Sequence, residues 1–152
     1  MTEVFTMIKT ESAYKKTLEK LEEDKRFIQS QKRALEEMGL TYEQINKALQ
    51  PSITFHEQLK EEVIYYERIR RGEFEPIINL HNLGKSLIAY RIYLGLSQQE
   101  LAERLNVSAS QISRDERNEY YGATMERIQE VMKAMHMVAK TEIEPQDLLL
   151  AE

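Results

Sequence analysis

The 152-residue sequence predicts an all-α protein: an N-terminal helical hairpin followed by a compact bundle of four to five helices. Three observations carry this. Apolar residues recur three, four and seven apart along each long segment, the spacing of a buried helix face. Ser or Thr stands ahead of several of these runs, where a helix needs its first N–H groups capped. Gly39, Gly72, Gly95 and Gly122 fall between the runs and stop them.

The elements follow in order. Residues 1–9 read as a loose or short extended arm. Thr10 to Met38 has high helix propensity and neither Gly nor Pro. Tyr14, Leu21, Ile28 and Leu35 repeat every seven residues, and Leu18 adds to their row. Lys25 and Lys32 fall where a second apolar row would continue. Such a half-strength seam suits packing on a neighbouring helix of the same chain, or a dimer or partner surface. After Gly39, Thr41 to Gln44 reads as a capping box opening a short helix to Leu49, and Pro51 is expected to break it. A further cap at Thr54 to Glu57 opens a helix to Arg71, with the stripe Phe55, Leu59, Val63, Tyr66 and Ile69 facing inward.

Gly72 to Ile78 is the expected hinge. A helix from Leu80 to Leu94 follows, with Leu87, Ile88 and Ile92 inside. Ser97 then caps a helix, with Glu100 placed to complete a capping box. Leu101 and Leu105 share its buried face, and Ala102 is small where two helices must cross. Asn106 tolerates the left-handed backbone that ends this helix. Val107 fills the corner. Ser108 caps the next helix, Gln111 is set for a second box, and Ile112 faces inward. Ser110, Ser113, Arg114 and Arg117 remain outside. Two capped helices joined by so short a turn form a helix-turn-helix, which can present its second helix to a groove. Asn118 to Gly122 is a loop. Thr124 caps a last helix with Met125, Ile128, Val131, Met132 and Met135 inward, the methionines acting as adaptable core filler. Residues 139–152 form an acidic tail, in which Pro145 and Asp147 to Leu150 could make one docking turn. The expected division is a hairpin at 1–75, a DNA-binding domain at 76–138 and the tail at 139–152.

Composition narrows the function. The chain has no cysteine, so it holds no disulfide or thiolate metal site, which fits the reducing cytoplasm. Apolar runs such as Val63 to Tyr66 are too short to span a bilayer. The net charge of −5 argues against strong nonspecific affinity for nucleic acid. Residues 80–137 balance seven Lys/Arg with seven Asp/Glu, so the excess acid lies in the flanks, available to a basic partner. Selectivity from a few placed contacts is the expectation. His56, His81 and His136 are scattered, and no metalloprotease, nucleophile-elbow or phosphate-loop motif is present. The neighbouring acids Glu36-Glu37 and Glu61-Glu62 point two ways on a helix rather than at one site. No catalytic residue, metal or cofactor is expected.

Leu96-Ser97-Gln98, Glu100-Leu101-Ala102, Leu105, Val107-Ser108, Ser110, Ile112-Ser113-Arg114 and Glu116-Arg117 together resemble the DNA-binding core of XRE-type regulators, the Cro/lambda-repressor superfamily. Two positions depart from that pattern: Asn106 replaces the usual turn glycine, and Asp115 stands where an apolar residue is usual. The resemblance implies a lambda-repressor-like fold and a homodimer on double-stranded DNA, repressing at a palindromic operator. It implies base contacts from Ala109, Ser110, Ser113 and Arg114. Phosphate contacts would come from Gln98, Ser108, Gln111, Arg117, Asn118 and Tyr120, with a packing role the equal alternative for Tyr120. It further implies a structural pair between Arg91 and Glu116. The hairpin layout and the phrase Tyr66-Glu67-Arg68-Ile69-Arg70-Arg71-Gly72 resemble HigA-type antitoxins. That second resemblance implies a basic ribonuclease toxin bound by an acidic hairpin, with the complex repressing its own operon. A protein-interaction scaffold that does not bind DNA is the reading from a different class.

Overall fold

A computed structural model describes residues 5–146, which contain six α-helices and no strand. Two long helices, α1 (Glu11–Glu37) and α2 (Tyr42–Arg70), form the antiparallel hairpin. Four shorter ones follow: α3 (Leu83–Tyr93), α4 (Gln98–Leu105), α5 (Ala109–Arg117) and α6 (Met125–Ala134). Side-chain caps set most of the starts. Thr10, Thr41, Ser97, Ser108 and Thr124 each accept a hydrogen bond from a first-turn N–H of the helix that follows.

Pro51 does not break the second segment. The short helix expected to end at Leu49 and the one expected to begin near Thr54 are a single helix, α2, with Pro51 inside it. A proline removes one N–H and crowds the preceding turn. Here Pro51 lies on the exposed side, where the carbonyl that loses its donor can be hydrated. Ile45 and Leu49 before it, and Val63, Tyr66 and Ile69 after it, are buried, so packing on both sides holds the helix through the defect. Phe55, expected in the inner stripe, is 42% exposed and carries the Lys20 ammonium 5.4 Å from its ring centroid.

The seam of α1 is shallow. None of its residues is fully buried. Tyr14, Leu21, Ile28 and Leu35 are half-buried, as are Thr17, Asp24 and Gln31, which supply a polar second row. Leu18 is exposed instead of joining the seam. Near the base, Tyr14 stacks on Tyr66 with centroids 4.7 Å apart and donates to Glu67 at 2.6 Å. Farther out, Asp24 Oδ2 and His56 Nδ1 are buried without hydrogen-bond partners.

One apolar core joins the two halves of the chain. It contains Met7 and Ile8 of the arm, Val63, Tyr66 and Ile69 of α2, and Leu87, Ile88 and Ile92 of α3. Leu101, Ile112, Val131 and Met135 complete it from the later elements. Packing therefore runs without a break across residue 75. Residues 5–9 of the arm are inserted at Met7 and Ile8, which are buried, and the N–H of Thr6 donates to Glu62 Oε1 at 3.1 Å. The 72–78 stretch is strapped onto α3 by Phe74, whose ring lies 5.3 Å from Tyr93 and 5.9 Å from Tyr90. Helix α3 begins at Leu83, not Leu80, because Asn79 and Leu80 both adopt left-handed backbone. In α6, Val131 is buried and Ile128 and Met132 half-buried, whereas Met125 is 54% exposed. Residues 139–146 are exposed and irregular, and the turn expected at Asp147 to Leu150 lies outside the described residues.

Candidate nucleic-acid interface

The geometry of α4 and α5 is built from local chemistry. Ser97 Oγ accepts from the Glu100 N–H at 3.0 Å, and the Glu100 carboxylate accepts from the Ser97 N–H at 3.0 Å. This closed box starts α4. Asn106 ends it with φ 55° and ψ 43°, the left-handed conformation that lets the Val107 N–H return to the Ala102 carbonyl at 3.0 Å. Ser108 Oγ accepts from the Gln111 N–H at 3.1 Å and starts α5. Leu101, Ala102 and Ile112 are buried where the two helices cross.

A buried ion pair fixes α5 against α3. Arg91 donates from Nε and Nη2 to the two carboxylate oxygens of Glu116, at 2.6 and 2.7 Å. Both side chains are almost fully buried. The other Arg91 donors reach the carbonyls of Leu96 at 2.7 Å and Lys9 at 2.6 Å. One guanidinium thus ties together α3, the turn before α4, α5 and the N-terminal arm. Gln98 Nε2 adds a bond to Glu116 Oε1 at 3.0 Å. The Gln98 side chain is therefore directed inward, and what α4 presents outward at this point is the N–H groups of its first turn.

The outer face of α5 is open. Ala109, Ser110, Arg114, Arg117 and Asn118 are exposed, and Ser113 is half-buried. Among the described residues, nothing from the hairpin buries Ala109, Ser110 or Arg114. Gln111 does not reach back to complete a capping box. Its amide donates to Asp115 Oδ1 at 2.9 Å, and its oxygen accepts from Arg114 Nη2 at 3.1 Å. Asp115 in turn accepts from Arg127 of α6 at 3.2 Å. The acid at a usually apolar position thus holds α5 to α6 by polar bonds.

Tyr120 is a correction. It is 5% exposed and packs in the core, so it cannot meet a phosphate as assigned from the sequence. Burial, followed by the charges of Glu116 and Asp115, raises its hydroxyl well above the usual tyrosine range. Glu119 and Tyr120 both have left-handed backbone, and this turns the Tyr120 ring inward. Its neighbour Tyr121 is 74% exposed instead. Sequence reasoning also passed over Gly84. A Cβ there would lie 1.8 Å from the carbonyl oxygen of Glu119, so only glycine lets α3 approach the loop after α5. A lone glycine inside an apolar helical run was the available signal.

Against this geometry stands one family match. The helix-turn-helix family model HTH_3 matches residues 87–142, from inside α3 to beyond α6. Over these residues the chain is similar to a helix-turn-helix domain. Comparison with curated proteins and with solved structures gave no significant match. The helix-turn-helix match supports a DNA-binding transcriptional regulator, and α5 is the second helix of that motif. Among the described residues, no group of His, Asp and Glu is arranged to hold a metal, and no helix is long and apolar enough to cross a membrane.

Proposed function

We propose that the protein is a sequence-specific repressor that binds double-stranded DNA as a homodimer, with α5 in the major groove. The observation that carries this is the open first half of α5 on a rigidly fixed scaffold. Ala109, Ser110, Ser113 and Arg114 lie where base edges would be read. Ala109 suits a thymine methyl, and the Ser110 and Ser113 hydroxyls either donate or accept. Arg114, whose Nη2 donates to Gln111 Oε1, makes a bidentate contact to guanine with its remaining guanidinium N–H groups. Ser108, Gln111, Arg117, Asn118 and the first turn of α4 position the phosphates. One helix-turn-helix makes few contacts, so two copies on half-sites about 34 Å apart are needed for useful affinity. In this reading residues 76–138 bind DNA, while the outer hairpin within 1–75 serves the dimer or another protein.

The test is Arg114→Ala on the protein's own promoter. Binding should lose about 1–3 kcal/mol of discrimination at one base position while nonspecific affinity changes little. Unchanged base preference would exclude this docking of α5. Absence of any selective DNA binding by the wild-type chain would favour the scaffold reading.

A second reading, toxin neutralisation with autoregulation, is favoured by one observation. The hairpin exposes Phe27, Met38, Tyr42 and Phe55, at 55%, 73%, 74% and 42%. Its charge gives no such support, because residues 11–71 carry twelve basic and twelve acidic side chains. A toxin would therefore be held by apolar contact more than by net charge. Co-expression with a small basic protein encoded beside it, followed by co-purification, tests this, and Phe27→Glu should abolish the complex.

A further inference from the structure

The helix-turn-helix segment supplies few free cations to its own interface. Of the seven Lys/Arg in residues 80–137, Arg91 is taken by Glu116, Arg127 by Asp115 and Glu130, and Arg104 by the carbonyl of Ala134. On α5 itself, Arg114 and Arg117 remain, and Lys85 and Lys133 lie on α3 and α6. Much of the affinity of such proteins for DNA comes from neutralising phosphates, so cations brought to the interface from elsewhere in the chain would add to it.

The structure brings two of them beside the interface. A cleft of about 460 Å³ separates the base of the hairpin from the helix-turn-helix. Gln98, Gln99 and Ala109 line one wall, at the starts of α4 and α5, and Lys9 and Arg70 line the other. Lys9 is placed by its own backbone, whose carbonyl accepts from Arg91 at 2.6 Å. Its ammonium has no ion pair among the described residues. The Arg70 guanidinium lies over the rings of Tyr14 and Tyr66, at 5.4 and 5.7 Å. Glu11 also lines the cleft, 3.8 Å from Arg70, and accepts from the Tyr66 hydroxyl at 3.2 Å. The hairpin side of the cleft thus carries Lys9, Arg70 and one carboxylate, Glu11, and Arg70 is about half exposed.

We propose that the base of the hairpin is part of the DNA-binding surface: Lys9 and Arg70 contact backbone phosphates of the strand that passes the N-terminus of α4. This rests on the docking of α5 proposed above. It gives the arm and the end of α2 a role in affinity that carries no base information.

The experiment measures fluorescence anisotropy of the full-length protein with a promoter duplex and a scrambled duplex, between 50 and 200 mM salt. Lys9→Gln/Arg70→Gln should weaken both duplexes by the same factor, about tenfold or more at the lowest salt. It should reduce the slope of log affinity against log salt by about 2, roughly one per lost contact. Arg70→Lys should keep the wild-type slope, which a purely packing role for Arg70 does not predict. Lys9→Gln alone should lower the slope by about 1, and it removes no ion pair. An unchanged slope in the double variant, or a loss confined to the promoter duplex, would overturn the inference while leaving the docking of α5 intact. Failure of the wild-type chain to prefer its promoter would overturn both.

Discussion

Replacing Glu116 by Gln tests the joint on which the interface is built. The change keeps the shape of the side chain and removes its charge. Arg91 and Glu116 are 3% and 0% exposed, so solvent cannot compensate. Removing one partner of a buried ion pair costs about 3–5 kcal/mol, because the remaining charge stays buried and unmatched. Two features place the expected cost near the lower end. Arg91 would keep the carbonyls of Leu96 and Lys9, and the Gln oxygen can still accept one bond. The expectation is a loss of about 3 kcal/mol, a large share of the roughly 5–15 kcal/mol that holds a domain folded. Urea unfolding followed by far-UV circular dichroism would report it as a lower midpoint at constant slope. Arg91→Met/Glu116→Leu should be more stable than the single variant, because no charge is then left alone. Its DNA affinity should stay impaired, since α3, α5 and the arm lose their common anchor. A cost below about 1 kcal/mol for Glu116→Gln, the range of an exposed pair, would refute the reasoning. A double variant no more stable than the single one would refute it too.

Two further substitutions probe what the sequence did not reveal. Gly84→Ala sets a methyl 1.8 Å from the Glu119 carbonyl, which is backbone and cannot swing aside. Thermal unfolding should show a loss at or above the upper end of the roughly 1–3 kcal/mol typical of overpacking, and a neutral result would mean that the loop after α5 does not pack there. Pro51→Ala restores a helical N–H in an exposed position of α2. Stability should rise by up to about 3 kcal/mol, measured by urea midpoint, and no gain would show that α2 accommodates proline without cost.

The sequence by itself determined the features that depend on neighbours within about four residues. The caps at Ser97, Ser108 and Thr124, the left-handed stop at Asn106 and the box at Thr41 were legible because a hydroxyl, an amide and a turn residue act on the adjacent backbone. The inward positions Leu87, Ile88, Ile92, Leu101 and Ile112 were legible from helical period. Tertiary structure decided the rest. Whether Pro51 ends a helix depended on buried contacts on either side of it. Whether Tyr120 or Tyr121 faces outward depended on two left-handed residues in one loop. Asp115, at a usually apolar position, became a joint to α6 because the fold brought Arg127 within 3.2 Å of its carboxylate. Lys9 and Arg70 came to line one cleft with the starts of α4 and α5 only because the arm and α2 pack in the same core as α3 to α6. Local hydrogen-bond chemistry is written in short stretches of chain, whereas burial and long-range approach are set by whichever distant surfaces the whole chain brings together.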